Sequence, residues 1–187
     1  MKRSWPALFL LLLLLCGAAL VWRRVTWLER SQDAPIRAAA RRYGVDPALV
    51  KAIVWRESRF NPNARGRVGE IGLMQLQEES AREWKDAERI AAFEHEYCFD
   101  PVTNTMAGTW YLKKLLRRYT STDNPLPYAL ADYNAGRGNV LKWNSGAAAT
   151  NSEAFVEQIG FPSTKLYVRS VLKRYDRYRP VFRADQP

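Results

Sequence analysis

Asp46 followed directly by Pro47 commits this chain to a helix start. An Asp before the first turn can accept from its free amides, and proline at the first helical position gives up an N–H that has no partner there. The same device recurs at Asp100-Pro101 and, with asparagine, at Asn124-Pro125. Three helices therefore have defined origins. Beyond Pro47, the residues Val50, Ile53 and Val54 recur at helical spacing, and the next turn of that stripe carries Glu57. Ionising a carboxyl on an apolar face is costly, so its pKa is expected to rise, which is what a general acid at neutral pH needs. The plainer alternative is a glutamate at a fraying helix end that points to water. Asn61-Pro62 is expected to stop the helix, and Gly66, Gly69 and Gly72 allow a loop to fold back across its end. That arrangement favours the buried carboxyl.

Further helices are predicted from Pro35 to Tyr43 with Gly44 as C-cap, from Leu73 to Trp84, and from Val102 to about Tyr119, with Val102, Met106, Trp110 and Leu116 toward a core. Another runs from Asn124-Pro125 and ends at Tyr133-Asn134-Ala135-Gly136, where the phenol and the amide can project from a rigid helix end. A ring there can stack on a sugar face, and an amide offers both donor and acceptor; the alternative is a packed Tyr and a capping Asn. Val140 to Trp143 reads as a short helix, Ser145 to Asn151 as a flexible link, and Ala154 to Ile159 and the stretch from Ser163 as the last helices. The tail after Pro180 reads as disordered.

A chain of 187 residues with 47% hydrophobic content supports one cored domain plus a short segment. That segment is residues 1–30, in which Ala7 to Trp22 carries no charge between Lys2-Arg3 and Arg23-Arg24. The run is shorter than the ~20 residues that span a bilayer and longer than a usual signal core, and flanking Trp and Arg can extend it by interfacial anchoring. Cleavage near Gly17 and Ala19 and lipidation of Cys16 are weaker readings than an uncleaved signal anchor. The division is thus 1–30 signal anchor or signal peptide, 31–180 catalytic domain and 181–187 tail.

The net charge is +10, and the first thirty residues carry five basic and one acidic side chain, leaving +6 on the rest. Such a surface attracts polyanions, but no zinc-finger spacing, helix-turn-helix signal or aromatic-basic sheet pattern points to nucleic acid. Cys98 stands alone in the domain and His95 has no ligand set around it, so neither a disulfide nor a metal site is expected, and no cofactor.

Glu57-Ser58, Phe60-Asn61-Pro62-x-Ala64, Gly69-x-x-Gly72-Leu73-Met74-Gln75 and Tyr133-Asn134-Ala135-Gly136, in that order, resemble the motifs of the soluble lytic transglycosylase family, whose catalytic domain is similar to goose-type lysozyme. The resemblance covers about Asp33 to Tyr178. It implies an all-α, mostly helical, lysozyme-like domain that cleaves peptidoglycan glycan strands, with Glu57 as the single acid/base and Ser58, Met74, Gln75, Tyr133, Asn134 and Tyr167 at the substrate groove. It also implies a place in the cell envelope, either periplasmic or at the extracytoplasmic face of the inner membrane. Asn104 resembles part of an Asp-Pro-x-x-Asn signature, as substrate contact or as a simple first-turn residue.

The chain departs from the family at four places. Gly66 stands where a serine is common, Glu70 and Asp132 where small residues are, and Ser163 where a glutamate is. Two rivals follow: a lysozyme-type hydrolase with Glu70 or Asp132 activating water, and a silent wall-binding module serving a secretion or division machine. Glu70, flanked by Arg65 and Arg67, reads as a solvated or ion-paired surface acid, and Asp132 as turned away from Tyr133.

Overall fold

The computed structural model describes residues 5–183. It contains nine α-helices among those residues: α1 Trp5–Ser31, α2 Asp33–Tyr43, α3 Pro47–Ser58, α4 Glu78–Ala87, α5 Pro101–Arg118, α6 Pro125–Ala135, α7 Arg137–Trp143, α8 Ser152–Gln158 and α9 Pro162–Arg183. Short 3₁₀ turns occupy His95–Phe99 and Gly146–Ala149. The cap-plus-proline starts form as the sequence predicts. Asp46 accepts from the Ala48 amide at 2.9 Å, Asp100 from Thr103 at 2.8 Å and Asn124 from Leu126 at 3.1 Å.

α3 is the buried axis of the domain, with every residue from Ala48 to Val54 inside. Even Lys51 is enclosed, which its 2.6 Å ion pair to Asp33 and the nearby rings of Phe60, Tyr178 and Phe182 make tolerable. α9 lies along α3, and α6 packs between α5 and α9. Burial at this axis fixes the direction in which the C-terminal end of α3 presents Glu57.

α1 is a 27-residue helix whose residues from Leu8 to Trp22 are exposed. At 1.5 Å per residue it reaches about 40 Å, so the short uncharged run continues as helix well past the length of a bilayer core. Its last turn joins the domain: Leu28 packs against the core, and Glu29 accepts from the Tyr178 hydroxyl at 2.9 Å and pairs with Arg174.

Several expectations are corrected. Leu73 to Gln77 is not helix; bridges Arg65 to Ile71 and Ile71 to Leu76 fold it into a tight turn, and α4 begins only at Glu78. Val102 is exposed on α5, and the core face there is made by Thr105, Ala107, Gly108, Leu112 and Leu115. Ser145 to Asn151 contains a 3₁₀ turn rather than a free link, held in part by the Tyr128 hydroxyl donating to the Ala148 carbonyl at 2.8 Å. α9 runs through Pro180 to Arg183, because Phe182 is buried under the Arg37 guanidinium and Lys51. Residues 184–187 of the expected tail lie outside the described residues.

Candidate active site

α3 ends before Asn61-Pro62. Arg59 and Phe60 both take left-handed backbone conformations, φ 53° and 64°, and turn the chain back on itself. Such angles are uncommon outside glycine, and burial of the Phe60 ring together with the stacking of Arg59 on Trp55 at 3.5 Å offsets them. The loop that follows crosses the end of α3 and closes on α5. Gly72 sits at φ 77°, and a Cβ on it would lie 2.1 Å from the Asn104 amide nitrogen and 2.3 Å from the Cys98 carbonyl, so only glycine fits.

Asn104 is the brace of this loop. Its carbonyl oxygen accepts from the Met74 amide at 2.8 Å, and its amide donates to the Ile71 and Cys98 carbonyls at 3.0 and 2.7 Å. It is fully buried and therefore neither substrate contact nor simple first-turn residue. His95 adds a contact to the Leu76 carbonyl at 2.9 Å.

The result is a groove of about 490 Å³ whose walls include Glu57, Gly66, Glu70, Gln75, Tyr133 and Asn134. Glu57 is half-buried, and its Oε1 accepts from the Tyr167 hydroxyl at 2.6 Å. Burial pushes its carboxyl up to about 7; the Tyr167 bond and Arg56 oppose that rise, and the Glu70 charge adds to it. A carboxyl half-protonated near neutrality can both give a proton to a bound group and take one back. Burial also raises Tyr133 and Tyr167 well above the ordinary phenol range, so both remain neutral donors.

The expected site residues separate into three groups. Glu57, Gln75, Tyr133 and Asn134 meet in the groove. The Tyr133 hydroxyl donates to the Met74 carbonyl at 2.7 Å, and Asn134 accepts from Thr164 at 2.9 Å, which leaves its amide free to donate. Tyr167 is buried and reaches Glu57 from α9, so it orients the acid instead of lining the cleft. Ser58 and Met74 do not contribute side chains as expected. The Ser58 hydroxyl donates back to Val54 at 3.1 Å, and the Met74 side chain is fully buried against Gly108.

Two acids are also placed. Asp132 is buried and bound by both Arg118 and the Tyr119 hydroxyl. Glu70 is half-exposed, faces the groove and has no ion pair among the described residues, so of the solvated or ion-paired surface acid only the ion pair is corrected. Tyr111, whose ring lies 5.7 Å from that of Tyr133, completes one wall and had no signal in the sequence beyond an aromatic on a helix.

Residues 34–156 match the family described as Transglycosylase SLT domain. The chain belongs to this family. The chain is 36% identical over 145 residues to the soluble lytic murein transglycosylase of Escherichia coli K12, covering 76% of this chain and 22% of that protein. It is 39% identical over 113 residues to the membrane-bound lytic murein transglycosylase C of Klebsiella pneumoniae strain 342, covering 57% and 31% respectively. Among solved structures, it superposes with a TM-score of 0.73 on an inactive glutamate-to-glutamine mutant of the lytic transglycosylase Slt from Pseudomonas aeruginosa, at 29% identity over 82% of this chain and 25% of that one. The 70 kDa soluble lytic transglycosylase of Escherichia coli gives 0.68 at 32% identity, over 81% and 25%. The chain thus spans between about a fifth and a third of the length of these relatives.

Proposed function

We propose that this chain is a membrane-anchored peptidoglycan lytic transglycosylase that cleaves the β-1,4 bond between N-acetylmuramic acid and N-acetylglucosamine. Glu57 protonates the leaving glycosidic oxygen while the muramyl acetamido group assists at the anomeric carbon. The resulting carboxylate then takes the proton of the muramyl 6-hydroxyl, whose oxygen closes a 1,6-anhydro ring on that carbon. Bond breaking and ring closure leave Glu57 protonated as at the start, and no water is consumed. Gln75, Tyr133 and Asn134 bind the sugars, and Tyr167 holds the acid in place.

The observation that carries this reading is a single half-buried carboxyl poised near pH 7 in a polar groove. It is supported by the relatives, named as murein transglycosylases, and by the Pseudomonas aeruginosa protein, an inactive mutant in which glutamine replaces a glutamate. Zymography on purified cell walls tests it: the protein is expected to clear a zone. An intact wall would leave the silent binding module instead.

A second reading, hydrolysis, draws on the two other carboxyl residues that line the groove, Glu70 and Asp132. Asp132 is already committed to Arg118 and Tyr119 and is not free to activate water. Under the transglycosylase reading, Glu70→Gln and Asp132→Asn leave the chemical nature of the product unchanged.

Residues 1–30 are proposed as the anchor, placing the catalytic domain on the outer face of the inner membrane. The full chain is expected to sediment with membranes and to keep its N-terminal residues, whereas a version starting at Thr26, which retains Leu28 on the core and Glu29 on α9, remains in the supernatant. Native protein whose sequence starts at Leu20 would show a cleaved signal instead.

A further inference from the structure

Gly66 and Glu70 are both departures from the family pattern, and they touch. Gly66 does not need glycine for its backbone, since its φ is not among the positive ones. It needs glycine for room: a Cβ there would lie 2.1 Å from Glu70 Oε2 and 3.0 Å from Gln75 Oε1. The loop keeps the two residues in register, because the Gly66 amide donates to the Glu70 carbonyl at 2.7 Å. Glu70 is thereby folded over Gly66 and into the groove, in the volume that a side chain at position 66 would otherwise fill.

The carboxylate is fixed there without being used up. Oε2 accepts from the Val68 amide at 3.1 Å, while Oε1 has no protein donor among the described residues. Beside it, Gln75 spends its amide on the Ala64 and Gly72 carbonyls at 3.2 and 2.9 Å, so the Gln75 oxygen is a second acceptor on the same wall. Glu57 and the amide of Asn134 line the same groove. With Arg67 also lining the groove, the two acceptor oxygens of Glu70 and Gln75 suit a ligand that carries N–H and O–H donors, and an acetamido sugar is such a ligand.

We propose that Glu70 is a specificity-determining residue of this groove, whose free carboxylate oxygen accepts a hydrogen bond from the acetamido N–H or a hydroxyl of the sugar bound beside Glu57, and that Gly66 is glycine in order to admit it. This rests on the peptidoglycan reading given above. Glu70 binds substrate; it neither attacks the sugar nor activates water.

The test is steady-state kinetics on solubilised glycan strands with four proteins besides the parent: Glu70→Ala, Glu70→Gln, Gly66→Ala and the Gly66→Ala/Glu70→Ala pair. A charge-assisted hydrogen bond lost to substrate raises KM by roughly tenfold or more, with kcat changed much less. Glu70→Gln keeps the shape and the Val68 contact but can present an amide donor to the sugar, so it is expected to behave like Glu70→Ala. Gly66→Ala is expected to push the flexible carboxylate out and raise KM similarly, with no further rise in the pair, because both changes remove one contact. Thermal unfolding is expected to be alike for all five proteins, which a role confined to loop folding would not give. An unchanged KM in Glu70→Ala and Glu70→Gln, or fully multiplying effects in the pair, would overturn the inference while the transglycosylase reading stands. A parent protein that leaves glycan strands intact would overturn that reading, and this inference with it.

Discussion

Glu57→Gln is expected to fold, to lose at least ~10²-fold in wall-degrading activity, and to be more stable than the parent protein above neutral pH. The amide keeps the size of the carboxyl, and its oxygen can still accept from the Tyr167 hydroxyl, but it has no proton to give. The stability change follows from the carboxyl's pKa, raised from 4.5 to about 7 chiefly by burial. With the folded value above the unfolded one, the parent's stability is fully present below about pH 4.5 and declines as pH rises through about 7. A tenfold difference in proton affinity between folded and unfolded chains is worth about 1.4 kcal/mol, so the glutamine variant is expected to gain on the order of 3 kcal/mol at pH 8 and little at pH 4.5. Urea unfolding at the two pH values measures this. Equal stability at both would mean that Glu57 is solvated, and the acid assignment would fail with it. Activity of the parent is likewise expected to fall as pH rises past about 7, as the acid form is lost.

Asn104→Asp is expected to remove more stability than any surface change, although the two side chains have the same shape. One oxygen would still accept from the Met74 amide, but the other would face the Ile71 and Cys98 carbonyls, now 3.0 and 2.7 Å from a donor. Two buried hydrogen bonds become two repulsive contacts around a charge, a loss of at least ~3 kcal/mol. Burial and repulsion raise the folded pKa of the new carboxyl above its unfolded value, so the deficit is expected to shrink as pH falls and one proton restores a donor. Because this loop carries Glu70 and Gln75, activity is expected to fall together with stability. A variant as stable as the parent at pH 8 would show that the loop does not depend on Asn104.

Much of this architecture is legible in local chemistry. Asp46, Asp100 and Asn124 each cap the helix that the following proline opens, and such caps depend on residues two or three apart. Glu57 can be found because a helical stripe extends into it. What escapes the sequence depends on partners far along the chain. Leu73, Met74 and Leu76 look like a helix face, yet their burial comes from a turn held by Asn104, some thirty residues away. Pro180 reads as a stop, yet Phe182 finds its cover on α2 and α3. Tyr167 is expected at the cleft edge, and only the packing of α9 on α3 sets its hydroxyl on Glu57 instead. Glu70 shows the same limit, since two flanking arginines suggest an ion pair and the glycine four residues earlier decides where it points.

The chemistry of ring closure leaves a mark on the product. Mass spectrometry of muropeptides released from purified peptidoglycan by the full chain is expected to show chains ending in 1,6-anhydromuramic acid, one water lighter than hydrolysis products, from the parent and from Glu70→Gln alike. Reducing-end muramic acid as the main product, disappearing in Glu70→Gln, would contradict the transglycosylase account and make Glu70 the residue that activates water.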